Sequence, residues 1–130
     1  FWYSCYKSWY NWNNIENFKK YKYINKININ KNILTDINNK DKDKLLVIKN
    51  IKDFDIFNKR YHSIYINKEL KIKWDFINWI KVSNDYGGIE ICPYINERRD
   101  IFWYETFDVA SGCIWNIESI IKDTNLLITI

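Results

Sequence analysis

Trp2, Tyr6, Trp9 and Trp12 recur at three- and four-residue steps, the spacing of one helical face, until Asn13-Asn14 interrupts them. Ile15, Phe18 and Tyr21 continue the periodicity as a second short helix, with Asn13 as its cap and Glu16 three residues on. From residue 21 to 33 the pattern shifts towards alternation, in Tyr21 and Tyr23 and again in Ile27 and Ile29, so a strand fits this stretch equally well. Asn38-Asn39-Lys40-Asp41-Lys42-Asp43-Lys44 then holds no apolar residue and predicts a loop. With 39–44 as that loop, an aromatic, basic portion 1–38 precedes a domain 45–130. A portion so short cannot close a core of its own, so it is expected to pack on the domain or on a partner.

Beyond the loop, short elements follow closely. Leu45-Leu46-Val47-Ile48 is a continuous apolar run of the buried-strand type. Asp53 is placed to cap a helix carrying Phe54, Phe57 and Tyr61 on one face. Ile64-Tyr65-Ile66 reads as a brief strand, Asn67-Lys68-Glu69 as a turn, and Ile72, Trp74 and Phe76 alternate as a strand. Asn78 starts a helical turn grouping Trp79, Val82 and Tyr86, which Gly87-Gly88 ends, since glycine accepts the positive φ of such corners. Ile89-Glu90-Ile91-Cys92 is a strand stopped by Pro93. Asn96-Glu97-Arg98-Arg99-Asp100 is a charged turn and Ile101-Phe102-Trp103-Tyr104 a returning strand. Gly112-Cys113-Ile114-Trp115 is another, leading through Asn116 into a helix over 117–122 and a final strand over 126–130. The sum is a single α+β domain with a mostly antiparallel sheet and a few short helices.

Composition supports this picture and discounts one part of it. Hydrophobic residues at 47% and aromatics at 18% supply a packed interior and exclude disorder. The 24 Ile, 18 Asn and 17 Lys, beside one Ala and no Gln or Met, are what an A+T-rich genome encodes, so lysine abundance says less than usual about nucleic acid. No run of apolar residues is long enough to span a membrane, and the aromatic start lacks the charged-then-aliphatic order of a signal peptide. A cytoplasmic protein is therefore expected, in the host cell cytoplasm or the virion if it is viral.

The three cysteines, Cys5, Cys92 and Cys113, are odd in number and lack Cys-x-x-Cys spacing, so reduced thiols are expected, a Cys92–Cys113 bridge being the alternative. Charge is uneven. Residues 1–65 hold thirteen Lys and Arg against six acids, and residues 66–130 seven against ten. The basic half is either a solvated face or a contact surface for something anionic. Trp9, Trp12, Lys19, Lys20, Tyr21, Lys22 and Tyr23 are the candidates there for contact with nucleic acid or another protein, aromatics among lysines being suited to stacked bases.

Chemistry-bearing motifs are sparse. Three glycines make neither a phosphate-binding loop nor a dinucleotide turn, and Ser119-Ile120-Ile121-Lys122 lacks the companion motifs of a Ser-x-x-Lys enzyme. One histidine without clustered thiols argues against a zinc site, and no metal or cofactor is expected. His62 with Cys92 or Cys113 could form a nucleophilic dyad, or simply end a helix. Arg98 and Arg99 stand out in a lysine-dominated chain, since the guanidinium fork fits phosphate or carboxylate. Close after them, Trp103, Glu105, Asp108, Ser111 and Trp115 surround the small-residue stretch Val109-Ala110-Ser111-Gly112-Cys113. That stretch is either a tight turn in which Asp108 accepts from the backbone N–H of Ala110 or Ser111, or a pocket whose ligand touches Asp108 and Ser111 and stacks on Trp103 or Trp115.

The order Tyr86-Gly87-Gly88-Ile89-Glu90-Ile91, Pro93-Tyr94, Arg98-Arg99, Trp103-Tyr104, Phe107-Asp108 and Ser111-Gly112-Cys113-Ile114-Trp115-Asn116 resembles small uncharacterised proteins of phages and large DNA viruses. Those share a Tyr-x-Gly-Ile … Trp-Tyr … Trp-Asp-x-x-Ser-Gly-Cys-Ile-Trp signature, and Phe107 stands here where the signature has Trp. The likeness covers about residues 48–122 and implies origin more than activity. A coarser likeness of layout, a Tyr-x-Gly-Ile strand before a late strand and short helix, is similar to the C-terminal end of ADP-ribosyltransferase-like domains, with Glu90 or Glu105 as the acid. Three functions follow: a non-enzymatic binding module of viral or phage origin for nucleic acid or protein, a small nucleotide-handling enzyme, or a structural virion component.

Overall fold

A computed structural model describes residues 1–17, 24–121 and 126–129. Nine strands and four helices lie among them: β1 (Trp2–Ser4), α1 (Ser8–Ile15), β2 (Ile24–Ile27), β3 (Leu34–Thr35), β4 (Asp41–Ile48), α2 (Ile51–Tyr61), β5 (His62–Asn67), β6 (Ile72–Ile77), α3 (Trp79–Asp85), β7 (Tyr86–Ile91), β8 (Ser111–Ile114), α4 (Ile117–Ile121) and β9 (Leu126–Thr129). The class is α+β, as expected. The central sheet runs β1-β8-β7-β4-β3, with β2–β9 and β5–β6 as separate pairs. Four of the six strand pairings are antiparallel, while β3–β4 and β4–β7 are parallel.

The parallel centre explains the unbroken apolar run. Leu45, Leu46, Val47 and Ile48 are all buried because β4 has neighbours on both edges and cover on both faces. Leu46 and Ile48, with Ile89 and Ile91 of β7, face α2, α3 and the 95–107 turns, a core that includes Phe54, Phe57, Tyr61, Val82 and Tyr104. Leu45, Val47 and Ile114 face the other way, towards Ile120 of α4. Fully burying one such phenylalanine or leucine contributes roughly 1.5–3 kcal/mol.

Asparagine, discounted above as a product of base composition, performs a repeated local task. Asn50 Oδ1 accepts from Asp53 N at 2.8 Å at the start of α2, and Asn78 Oδ1 accepts from Lys81 N at 3.1 Å at the start of α3. Each answers a backbone donor that the first helical turn leaves unpaired. Asn50, not Asp53, is thus the α2 cap. Asn67 Oδ1 similarly accepts from Glu69 N and Leu70 N, fixing the turn between β5 and β6.

Several expectations are corrected. Trp2 lies on a strand, so the helical face begins only at Ser8. The polar run read as a loop enters β4 at Asp41, with a register shift between Asp41 and Leu45. Gly87 and Gly88 lie inside β7, and no glycine has a positive φ. Gly88 is needed for closeness instead: a Cβ there would come within 2.7 Å of the Cys113 carbonyl oxygen. Ile101-Phe102-Trp103-Tyr104 is no strand but leads into a single 3₁₀ turn, Tyr104–Thr106. The N-terminal portion is joined to the domain: β1 is an edge strand on β8, and Cys5 N and Ser8 Oγ both donate to the Ala110 carbonyl, at 2.9 and 2.7 Å. A Cys5–Cys92 disulfide fastens it, with Cys113 left as a free thiol, which replaces the expected reduced cysteines.

Candidate functional site

The segment 103–115 is mainly architecture. Trp103 is buried, stacks on Phe54 with ring centroids 5.2 Å apart, and donates from Nε1 to Asn58 Oδ1 at 2.8 Å. Trp115 is half-buried and donates to the Tyr86 carbonyl at 2.8 Å. Ser111 is buried, and its hydroxyl donates to the Val109 carbonyl. Asp108 is exposed and does not accept from Ala110 or Ser111. The small residues make room within the chain: Tyr3 lies over Gly112, where a Cβ would collide with its ring, and reaches across β8 to donate to Glu90 at 2.9 Å. Burial, then the neighbouring Glu90 carboxylate, raises the Tyr3 pKa well above its ordinary value.

The two arginines separate. Arg98 grips Asp55 of α2 through two hydrogen bonds, Nε to Oδ1 at 2.8 Å and an Nη to Oδ2 at 2.9 Å, while Arg99 is exposed. That hydrogen bonding holds the Asp55 carboxyl below its ordinary range. The stabilisation is present above the ordinary aspartate pKa and is lost as pH falls through the lowered folded value. Arg98→Ala is therefore expected to return the Asp55 titration upward, read by carboxyl NMR, and to equal the wild type in stability in strong acid. His62 starts β5 with Nε2 3.3 Å from Asp75, and its expected pairing with Cys92 is closed because Cys92 is bonded to Cys5. The ligand atoms of Cys5, Glu90 and Cys92 lie within 4.8 Å of one another, but the disulfide occupies both sulfurs.

Of the N-terminal contact candidates, Trp9 is exposed and Trp12 half-buried, whereas Lys19, Lys20, Tyr21, Lys22 and Tyr23 lie outside the described residues. Part of the basic charge is used internally: Lys40 is 3.5 Å from Asp85, and Arg60 donates to the Ile37 carbonyl at 2.8 Å.

Among the described residues, an organised and exposed apolar surface was not singled out from sequence. It is the β5–β6 hairpin, inserted between α2 and α3 and closed at its base by Asn78 N donating to the Tyr61 carbonyl at 2.8 Å. Tyr65 pairs with Trp74 and Ser63 with Phe76, which puts the three rings on one face of the ribbon. Tyr65 and Trp74 are each 54% exposed, Phe76 is 42% exposed, and the Tyr65 and Trp74 ring centroids are 6.4 Å apart. Lys68, Lys71 and Lys73 stand exposed around the tip, with Glu69 among them. A ribbon of six-residue strands carries the tip about 20 Å from the base. The available sequence signal was that β5 and β6 carry apolar residues at successive positions, Ile64-Tyr65-Ile66, more than a ribbon with one buried face uses.

At the base, the ring surface runs into a cleft of about 410 Å³ lined by Phe76, Trp79, Phe102, Trp103, Glu105 and Thr106. This cleft reunites two residues singled out from sequence, Trp103 as its buried floor and Glu105 as an exposed carboxylate. Trp115 touches it indirectly, edge-on to Trp79 at 6.4 Å. Arg98, Arg99, Asp108 and Ser111 do not line it.

Comparison with protein-family models, curated proteins and solved structures finds no match. Among the described residues, no helix is long and apolar enough to cross a membrane.

Proposed function

We propose that this chain is a non-enzymatic binding module that takes single-stranded nucleic acid along the aromatic face of the β5–β6 hairpin. The observation that carries the proposal is the row Tyr65, Trp74 and Phe76, exposed on one face of a ribbon whose tip bears Lys68, Lys71 and Lys73. Rings offer stacking surface to any base, and lysines meet the phosphates between bases. The surface is a different one from the basic N-terminal portion to which the sequence pointed. A viral or phage origin rests on the 86–116 signature and on the A+T-type composition. The Cys5–Cys92 disulfide fits a virion or another oxidising setting better than the cytosol.

The test is fluorescence polarisation with labelled single-stranded oligonucleotides. Trp74→Ala is expected to weaken binding by about 1–3 kcal/mol, roughly 5- to 150-fold, with an unchanged circular dichroism spectrum. Two lysine–phosphate contacts, from Lys68 and Lys71 at the tip, give a salt slope of about −1.4, and Lys68→Glu with Lys71→Glu flattens it. Absence of binding at low salt would refute the reading. A protein-docking reading is favoured by one separate observation: α1 turns Trp9, Tyr10 and Ile15 outward, so that its apolar side is not its buried one.

A further inference from the structure

Resting on that reading, we infer that the cleft at the hairpin base is a selective pocket for one unstacked guanine of the bound strand. Three exposed rings, Phe76, Trp79 and Phe102, and the buried Trp103 give it aromatic walls suited to a flat group. Its polar groups are distinctive in what they have left to offer. The Trp103 indole N–H is spent on Asn58, and the Thr106 hydroxyl donates to the Trp103 carbonyl at 2.8 Å. Asp75 also lines the cleft, and its Oδ1 is taken up by His62 Nε2 at 3.3 Å. The Glu105 carboxylate remains, an acceptor with two oxygens, together with the indole N–H of Trp79, a donor.

A site with flat walls and a two-oxygen acceptor selects a flat ligand with adjacent donors on one edge, and the Trp79 indole N–H suits an acceptor beside them. Among the bases, guanine alone presents two neighbouring donors, N1–H and the N2 amino group, to a carboxylate. Adenine and cytosine each set a ring acceptor beside their amino donor, which a carboxylate repels, and thymine and uracil flank one donor with two acceptors. An arginine guanidinium has comparable donors. Continuity decides between them: Phe76 belongs both to the cleft and to the ring row leading to the tip, where Lys68 and Lys71 stand, so a strand stacked along the ribbon delivers its end base into the cleft. The acidic cleft sits at the far end from the lysines, so the phosphates run along the ribbon and the base alone enters.

The test uses the whole chain and short oligothymidylates that carry a single dG, dA or dC at one position. The dG oligomer is expected to bind at least tenfold more tightly than the other two, the discrimination usual for a good bidentate pair. Glu105→Gln, whose amide offers one donor and one acceptor, is expected to move the preference from dG to dA, a change that a structural role for Glu105 would not produce. Guanosine monophosphate should quench Trp79 fluorescence more than adenosine monophosphate, and Trp79→Phe should remove that signal. Equal binding of all oligomers, with Trp74→Ala still weakening it, overturns the guanine pocket and leaves the nucleic-acid reading standing. No oligonucleotide binding overturns the reading itself. Occupation of the cleft by an arginine-bearing peptide, with no preference among the mononucleotides, also overturns the guanine assignment.

Discussion

Trp103→Ala is expected to destabilise the fold by about 3–5 kcal/mol, the cost usual for emptying a buried tryptophan site. The ring stacks on Phe54, meets Phe57 at 5.7 Å and Phe107 at 6.0 Å, and contacts Tyr104, so its loss opens the centre of an aromatic cluster over β4 and β7. It also strands Asn58 Oδ1, whose partner is the indole N–H at 2.8 Å. Chemical denaturation should show a lower midpoint at nearly unchanged slope. Trp103→Phe keeps part of the stacking and loses the hydrogen bond, so an intermediate loss is expected. A tryptophan whose task was only to stack on a ligand would give a different result: little change in stability and a large change in binding. Near-wild-type stability of Trp103→Ala would therefore refute the packing described here. The neighbouring Tyr104 belongs to the same cluster. Its hydroxyl accepts from Ile95 N at 3.0 Å, and burial pushes its pKa up to about 12.

What the sequence reveals about this fold follows from how local the cause is. α2 was legible because Phe54, Phe57 and Tyr61 share a helical face and all three are buried. The β5–β6 turn was legible because Asn67 needs only its own next residues to form it. Errors arise where a distant partner decides. Asp41 and Lys42 read as loop because they are polar, yet β7 supplies a parallel neighbour for Asp41, and the Lys42 carbonyl accepts from Asn116 Nδ2 at 2.8 Å. Gly87-Gly88 reads as a corner because two glycines usually turn a chain, whereas here they let three backbones crowd together. For the site, residue type was a guide to Trp103 and Glu105 but not to their roles. Arg98 looked available for a ligand because Asp55, 43 residues away, could not be placed beside it. The ring row on the hairpin was missed because exposure, not identity, makes it notable, and alternation alone does not tell which face of a ribbon has no cover.

Loss of the Cys5–Cys92 bond is the other change expected to have a large effect. It closes a loop of 87 residues, for which the chain-entropy argument gives a stabilisation of roughly 4–5 kcal/mol. The realised loss should be nearer 2–4 kcal/mol, since other contacts hold the same segment: three β1–β8 register pairs, two donors to the Ala110 carbonyl and the Tyr3–Glu90 hydrogen bond. Cys5→Ser, Cys92→Ser and the double variant should all lose the same amount, because the second substitution removes nothing further. Thiol reduction should lower the wild type to that level and leave Cys5→Ser unchanged, while Cys113→Ser, outside the bond, has a smaller effect. Tyr3 reports where the loss acts. Its pKa is raised in the folded protein, so the stability it contributes is complete below the ordinary tyrosine value of 10.0 and is lost as pH rises beyond it. If the bond acts by holding β1 on β8, its loss lets β1 detach locally before the core unfolds. Phenolate titration should then show one tyrosine returning towards its ordinary value in Cys5→Ser, with amide exchange accelerated in β1 and unchanged in β4. Uniform acceleration in both strands would show that the disulfide supports the whole domain rather than its edge.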